Sequence, residues 1–193
     1  GVSGAPGVAM GIVTVPHLLA DLDDVPDRPA GNLATEEAAL RAAIAAVEEE
    51  LRVASDRLAP LLPPTEQALF TVHRMLLGSD SLIEDALASI RAGHWAPAAW
   101  RDAVLARVRL LEQAEDPYLS ARAEDIHDLG RRVLHCLRAA PHLSLEPATD
   151  RCVLVAEEMS VAHLAAVPPE QLAGIVCLRG SALSHVALLA RAM

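Results

Sequence analysis

The chain has 193 residues, 16 basic against 26 acidic side chains for a formal net charge of -10, an apolar content of 52%, and only two Trp, one Tyr and one Phe. That is enough material for one large domain or two small ones. The acidic balance speaks against nucleic acid, whose phosphates recruit clustered positive charge, and no run of about eighteen uncharged apolar residues is present to span a membrane. The start, Gly1-Val2-Ser3-Gly4, shows no secretory signal, and Cys136, Cys152 and Cys177 are too few and scattered for a disulfide framework. A cytoplasmic protein is expected.

A Gly/Pro turn at 5–7 leads into alternating small and β-branched residues that predict a strand over 8–15, followed by a solvated connector rich in Asp and Pro at 21–29. The middle reads as helical. Thr35, followed by Glu36 and Glu37, predicts a helix start. Leu40, Ile44, Val47, Leu51, Ala54 and Leu58, alternately four and three apart, form the single stripe of a long helix in a bundle or hairpin, ended by Pro60, Pro63 and Pro64. Thr65 caps a second helix to Leu77. A third over about 81–91 turns Leu82, Ala86 and Ile90 inward and stops at Gly93. A fourth over about 96–115 turns Trp100, Val104, Val108 and Leu111 inward. Asp116 with Pro117 opens a fifth, lined by Leu119, Ile126, Leu129 and Val133 and running to Pro141. After Pro141 come a short apolar run at 152–155, a helix from Ser160 to about 166, a second apolar run at 174–178 and an apolar helix from Ser184. The two runs read as buried strands, and strand-helix-strand-helix is an α/β signature. With the first strand far away in sequence, the economical reading is an α/β unit interrupted by a helical insertion. A helix still running at Met193 suggests a partial chain.

All 16 basic residues are arginine, which removes Schiff-base, pyridoxal-phosphate and Walker A chemistry, since each needs an ε-amine. What survives is chemistry by His, Cys, Ser and carboxylates. The sharpest candidate is the turn Arg179-Gly180-Ser181-Ala182-Leu183-Ser184-His185, which joins a strand to a helix. Free N–H groups and the dipole at a helix start attract an anion, and Gly180 lets the backbone come close. An imidazole there is disfavoured as a cation and is offered as a neutral nucleophile. On physics alone, a plain helix-start histidine is an equal reading. His127, His135, Cys136 and His142 invite a zinc hypothesis, but His127 and His135 are eight apart on a helix and no Cys-x-x-Cys supports them. No metal is expected. Cys152 and Cys177 read as core thiols, His17, His94 and His163 as surface or capping residues, and Trp95 and Trp100 as packing anchors.

The stretch Gly180-Ser181-Ala182-Leu183-Ser184-His185-Val186-Ala187-Leu188-Leu189-Ala190-Arg191 resembles the phosphohistidine motif of enzyme I of the bacterial phosphoenolpyruvate phosphotransferase system. The opening 1–11 resembles that family's first strand. Asp116-Pro117-Tyr118-Leu119 with 122–132 resembles its last bundle helix. His73-Arg74-Met75-Leu76-Leu77, with the motif itself, is most similar to the nitrogen-branch paralogue. The resemblance implies a swivelling α/β phosphohistidine domain (1–22 and 144–193, incomplete at its C-terminus) carrying an inserted all-α hairpin or bundle domain (33–141) that docks the carrier. It implies that His185 takes the phosphoryl group of phosphoenolpyruvate and passes it to a histidine on a small phosphocarrier protein. Ser160 matches a residue whose hydroxyl bonds the active imidazole, and Gly180, Ser181, Ser184 and Arg191 belong to the motif. Arg122 and His73 match carrier-interface positions, although for Arg122 an ion pair inside the bundle is an equal reading. The phosphoenolpyruvate-binding barrel and its Mg2+ lie beyond Met193 in the family, so no cofactor is expected in this chain.

Departures from the family are specific. Leu183 stands where Thr or Asn is usual, Ser181 and Ala182 replace the Gly-Arg of the commoner form, Ala121 replaces an acid and His127 an arginine. Two other readings stay open. One is the phosphohistidine domain of a dikinase or phosphoenolpyruvate synthase, against which the insertion speaks. The other is a non-catalytic helical docking module with a degenerate motif.

Overall fold

In a computed structural model, the structure describes residues 5, 7–15, 21–58, 60, 62, 64–113, 117–138, 151–157, 159, 163–164, 167–178 and 185–192. The elements in chain order are β1 (Ile12–Thr14), α1 (Leu33–Leu58), α2 (Pro64–Leu77), α3 (Asp80–Arg91), α4 (Ala96–Glu112), α5 (Pro117–Leu137), β2 (Cys152–Ala156), β3 (Leu172–Cys177) and α6 (His185–Ala192). The chain divides into two compact units. One comprises Gly1–Leu18, Arg52–Phe70 and Pro141–Met193; the other comprises Leu19–Leu51 and Thr71–Ala140. None of the described helices is long and apolar enough to cross a membrane.

The second unit is helical. The α1 stripe predicted from the sequence is buried, and Leu40, Ile44, Val47 and Leu51 join one core with Leu82, Ala86 and Ile90 of α3, Trp100 and Val104 of α4, and Ile126, Leu129 and Val133 of α5. Burial of side chains of this size stabilises by about 1.5–3 kcal/mol each. The helix begins two residues before Thr35. Asn32 is the cap, its Oδ1 accepting from the Thr35 backbone N–H at 3.0 Å while its carbonyl accepts from Glu36 at 3.0 Å. Glu36 serves a different helix. Its carboxylate accepts the Ala96 N–H at 2.8 Å, at the start of α4, where Trp95 makes no side-chain cap bond of its own. Between α3 and α4, Gly93 holds a φ of +103°, which only glycine adopts without strain, and His94 Nδ1 lies 3.2 Å from the Ser89 carbonyl at the end of α3.

Both tryptophans anchor packing. Trp100 is fully buried and its Nε1 donates to the Gly130 carbonyl at 2.9 Å, tying α4 to α5. Trp95 Nε1 donates to the Pro26 carbonyl at 3.0 Å, and the Arg28 guanidinium lies over its ring at 5.0 Å. The acidic connector, expected to be solvated, is in fact strapped down. Leu22 and Val25 are in the core, and Arg101 bonds both the Val25 carbonyl and Asp27. That guanidinium, through its hydrogen bond and then its charge, holds the Asp27 carboxyl below the usual carboxylate range.

The first unit is α/β. Its sheet has the order β1-β2-β3 with both pairs parallel, Ile12 opposite Cys152 and Leu154 opposite Ile175. Cys152 and Leu154 of β2 pack with Leu164, Val167 and Leu189, and with Ala54, Leu58, Leu62 and Phe70 from the α1–α2 stretch. Gly11 lies so close to its neighbour that an added Cβ would meet the Arg151 carbonyl oxygen at 2.5 Å. Three local expectations change here. The first strand covers three residues rather than eight, because pairing with β2 is limited to Ile12–Thr14. β3 is half-buried rather than buried: it lies at one edge of the described sheet, with Val176 near its end 47% exposed and Leu178, just beyond it, 76% exposed. His163, expected at the surface, is buried.

The cysteines follow these positions. Cys152 is buried on the central strand, Cys136 is half-buried on α5, and Cys177 is exposed on β3 rather than in a core. Burial, and then the charge of Glu50, push the Cys136 thiol up, which lowers its thiolate fraction at neutral pH. Limited alkylation at neutral pH is therefore expected to modify Cys177 first, by about tenfold or more over the other two. Peptide mass mapping checks this, and preferential labelling of Cys152 would contradict the strand order.

Candidate phosphoryl-acceptor site

β3 ends at Cys177, and the Leu178 N–H extends the ladder by one bond, donating to the Ala156 carbonyl at 3.1 Å. After six intervening residues α6 begins at His185. Leu189 is fully buried in the core that includes Cys152 and Leu154 of β2, and Ala190 packs against that core. His185 is thus the first residue of a helix that follows a parallel strand, where backbone N–H groups have no partner within the helix and the dipole favours an anion. This is the position anticipated for a phosphoryl acceptor from the Gly-Ser turn. Arg191 is exposed in the last turn, its Nε donating to the Ala187 carbonyl at 3.2 Å, so this guanidinium is engaged on its own helix. Ser160, Gly180, Ser181, Leu183 and Ser184 lie outside the described residues, as do Asp116, His17 and His142.

The two predicted carrier-interface residues meet in one cluster. His73 on α2 is 5% exposed, and its Nε2 lies 3.2 Å from Asp125 Oδ1 on α5. Arg122, one turn earlier on α5, pairs with the other oxygen of the same carboxylate at 2.8 Å. Arg122 therefore makes an ion pair inside the bundle, and Asp125 is the residue that sequence reasoning missed. Its spacing of three from Arg122 was a visible signal, since such positions are neighbours on a helix face. A second cross-helix pair, Arg132 to Glu50 at 3.1 Å, joins α5 to α1, with Arg132 2% exposed. His127 and His135 are half-buried, and among the described residues no three His, Cys, Asp or Glu side chains gather as a metal-ligand set.

The family pattern for the N-terminal region of PEP-utilising enzymes matches residues 1–122, and the pattern for their mobile domain matches 148–193. The chain belongs to the PEP-utilising enzyme family. Within that family it is 30% identical over 195 residues to a multiphosphoryl transfer protein of Xanthomonas campestris pv. campestris, covering 100% of this chain and 23% of the relative. It is also 30% identical over 189 residues to a protein of Escherichia coli K12 named for the phosphoenolpyruvate-dependent phosphotransferase system, covering 98% of this chain and 25% of the relative. The chain thus spans about a quarter of the length of these relatives. Among solved structures, the N-terminal domain of a nitrogen-type Enzyme I superposes with a TM-score of 0.72 at 29% identity, over 98% of this chain and 77% of that one. The fold of this PEP-utilising enzyme segment is that of an Enzyme I N-terminal domain, a helical domain with an α/β phosphohistidine domain. The mobile-domain match contains His185 and all of α6.

Proposed function

We propose that this chain is the phosphoryl-relay segment of a phosphoenolpyruvate-protein phosphotransferase, most similar to the nitrogen branch, and that His185 is its phosphohistidine. The carrying observation is the place of His185 at the start of α6, the element that follows parallel strand β3 in the chain, inside the stretch matched by the mobile-domain pattern. An imidazole nitrogen attacks the phosphorus of phosphoenolpyruvate, a P–N bond forms, the P–O bond breaks, and the enolate leaves to be protonated to pyruvate. Helix N–H groups meet the anionic phosphoryl oxygens, with the Gly180-Ser181 turn allowing their approach and the hydroxyls of Ser160 and Ser184 orienting the ring. The group then passes to a histidine on a small phosphocarrier protein. Phosphoenolpyruvate and Mg2+ belong, on this reading, to a C-terminal barrel outside this chain, and the segment itself uses no cofactor. The carrier docks on the helical unit near Arg122, steered by the acidic surface that a net charge of -10 implies.

Back-transfer tests this. Incubation with a phosphorylated histidine phosphocarrier protein of the phosphotransferase system is expected to place one acid-labile phosphate on His185, read by intact and peptide mass at neutral pH. A folded chain that takes none would favour a docking module in which Leu183 has cost the motif its function. Phosphate on another residue would overturn the assignment of His185.

A further inference from the structure

We infer that the outer edge of β1 is a self-association surface, on which a second copy of this chain pairs antiparallel about a two-fold axis at Val13. β1 has a partner on one side: it pairs with β2, and among the described residues no strand lies on its other side. The Ile12 N–H donates to the Arg151 carbonyl at 2.8 Å, so Ile12 and, two residues on, Thr14 turn their backbone groups toward β2. Gly11, Val13 and Val15 turn theirs the other way, and among the described residues nothing bonds to these outward groups. The side chains along the edge are apolar and open to solvent. Val8, Met10, Ile12, Val13 and Val15 are all exposed, Met10 by 89% and Val13 by 64%. Such an edge is a template for another strand, and folded proteins usually blunt it with charge or proline. Neither stands between Val8 and Val15, and residues 1–20 contain no Asp, Glu, Lys or Arg.

Charge also selects the occupant. With a net charge of -10 carried outside this stretch, two copies repel over much of their surface and least along this edge. A strand edge turned by 180° meets its own donors with its own acceptors, so it is complementary to itself and needs no partner of matching charge. With the axis at Val13, that residue faces its own counterpart, and Gly11 faces Val15 of the second copy. All three outward residues of each copy are then bonded, and the two Val13 side chains pack side by side across the axis. The two three-stranded sheets become one continuous sheet.

Sedimentation and light scattering on the 193-residue chain test this. The mass is expected to rise from one copy to two between about 1 and about 200 μM, the weak range suited to an interface below about 800 Å2 per partner. Amide exchange at Gly11, Val13 and Val15 is expected to slow by about tenfold over that range, with helix amides unchanged. Val13→Lys puts two like charges on the axis. Val13→Pro removes an outward N–H and leaves the bonds to β2 in place. Each variant is expected to stay monomeric at about 200 μM, with the circular dichroism of wild type. A wild-type chain that remains monomeric overturns the inference, and so does association that persists in both variants or grows past two copies. Exchange at 11–15 that is slow at every concentration also overturns it, because the edge would then be covered from within one molecule. If Val13→Pro does not fold, Val13→Lys gives the same decision, since it changes only an exposed side chain.

Discussion

His185→Ala is expected to abolish phosphate uptake from a phosphorylated carrier, by at least about a thousandfold, with helix content and melting temperature unchanged. The loss follows from the chemistry: removing the imidazole removes the atom that forms the P–N bond, and no neighbouring hydroxyl is a comparable nucleophile at neutral pH. The lack of a stability effect follows from position. Residue 185 is the first of α6, where helix propensity carries little weight, and the helix is held to its core by Leu189. Parallel intact-mass and circular-dichroism measurements on wild type and variant separate the two effects. A variant that still takes acid-labile phosphate would remove His185 from the mechanism, and one that unfolds would make its role structural.

The largest stability effect is expected at Gly130, in the middle of α5. A Cβ there would lie 2.6 Å from Val104 Cγ1 and 3.0 Å from Cγ2, and Val104 is fully buried on α4. Valine is stiff about χ1, so its methyl groups cannot swing aside without leaving their rotamer or moving the helices apart. The same contact is fixed from the other direction, since the Gly130 carbonyl accepts from Trp100 Nε1 at 2.9 Å. Glycine inside a helix costs about 1 kcal/mol relative to alanine, so Gly130→Ala would be stabilising in open space. Here the clash outweighs that gain. A net loss of about 1–2 kcal/mol is expected for Gly130→Ala, and about 3 kcal/mol or more for Gly130→Val, measured by urea denaturation. Adding Val104→Ala to Gly130→Ala should recover part of the loss, because it removes the atoms that the new Cβ meets. A Gly130→Ala chain as stable as wild type would mean that the α4–α5 contact has slack to give.

Legibility in the sequence followed the range of the interactions. The five long helices announced themselves through apolar spacing, because a buried stripe must recur with the helical period whatever it packs against. Their ends were less secure. Asn32 and Thr35 are both good caps, and the choice depends on which backbone group each side chain reaches. Glu36 looked like an ordinary first-turn acid on α1, yet its carboxylate caps α4, a partner 60 residues away that no local pattern announces. β3 illustrates the complementary difficulty. An apolar run reads the same in a central and in an edge strand, so Cys177 was placed in a core when pairing leaves it exposed. At the candidate site, the strand ending at Cys177 and the helix beginning at His185 were readable, while the stretch 179–184 between them lies outside the described residues. What a histidine does at that helix start was not readable, because the physics of a helix terminus suits a spectator as well as an acceptor; that reading came from family resemblance. Asp125 stayed hidden because a charge on an amphipathic helix reads as solvated until a second helix closes over it.

The partition of the α1 stripe bears on how this chain can be dissected. Leu40, Ile44, Val47 and Leu51 belong to the helical core, whereas Ala54 and Leu58, with Leu62 and Phe70 beyond, belong to the core around β2. A helical fragment excised at residues where the chain leaves the sheet would carry that apolar stretch with nothing to cover it, a ready nucleus for self-association. A fragment of the sheet assembled only from the two chain ends would lack one wall of its own interior. Soluble pieces of this protein therefore require polar replacements along 54–70 in the first case, or a grafted copy of that stretch in the second.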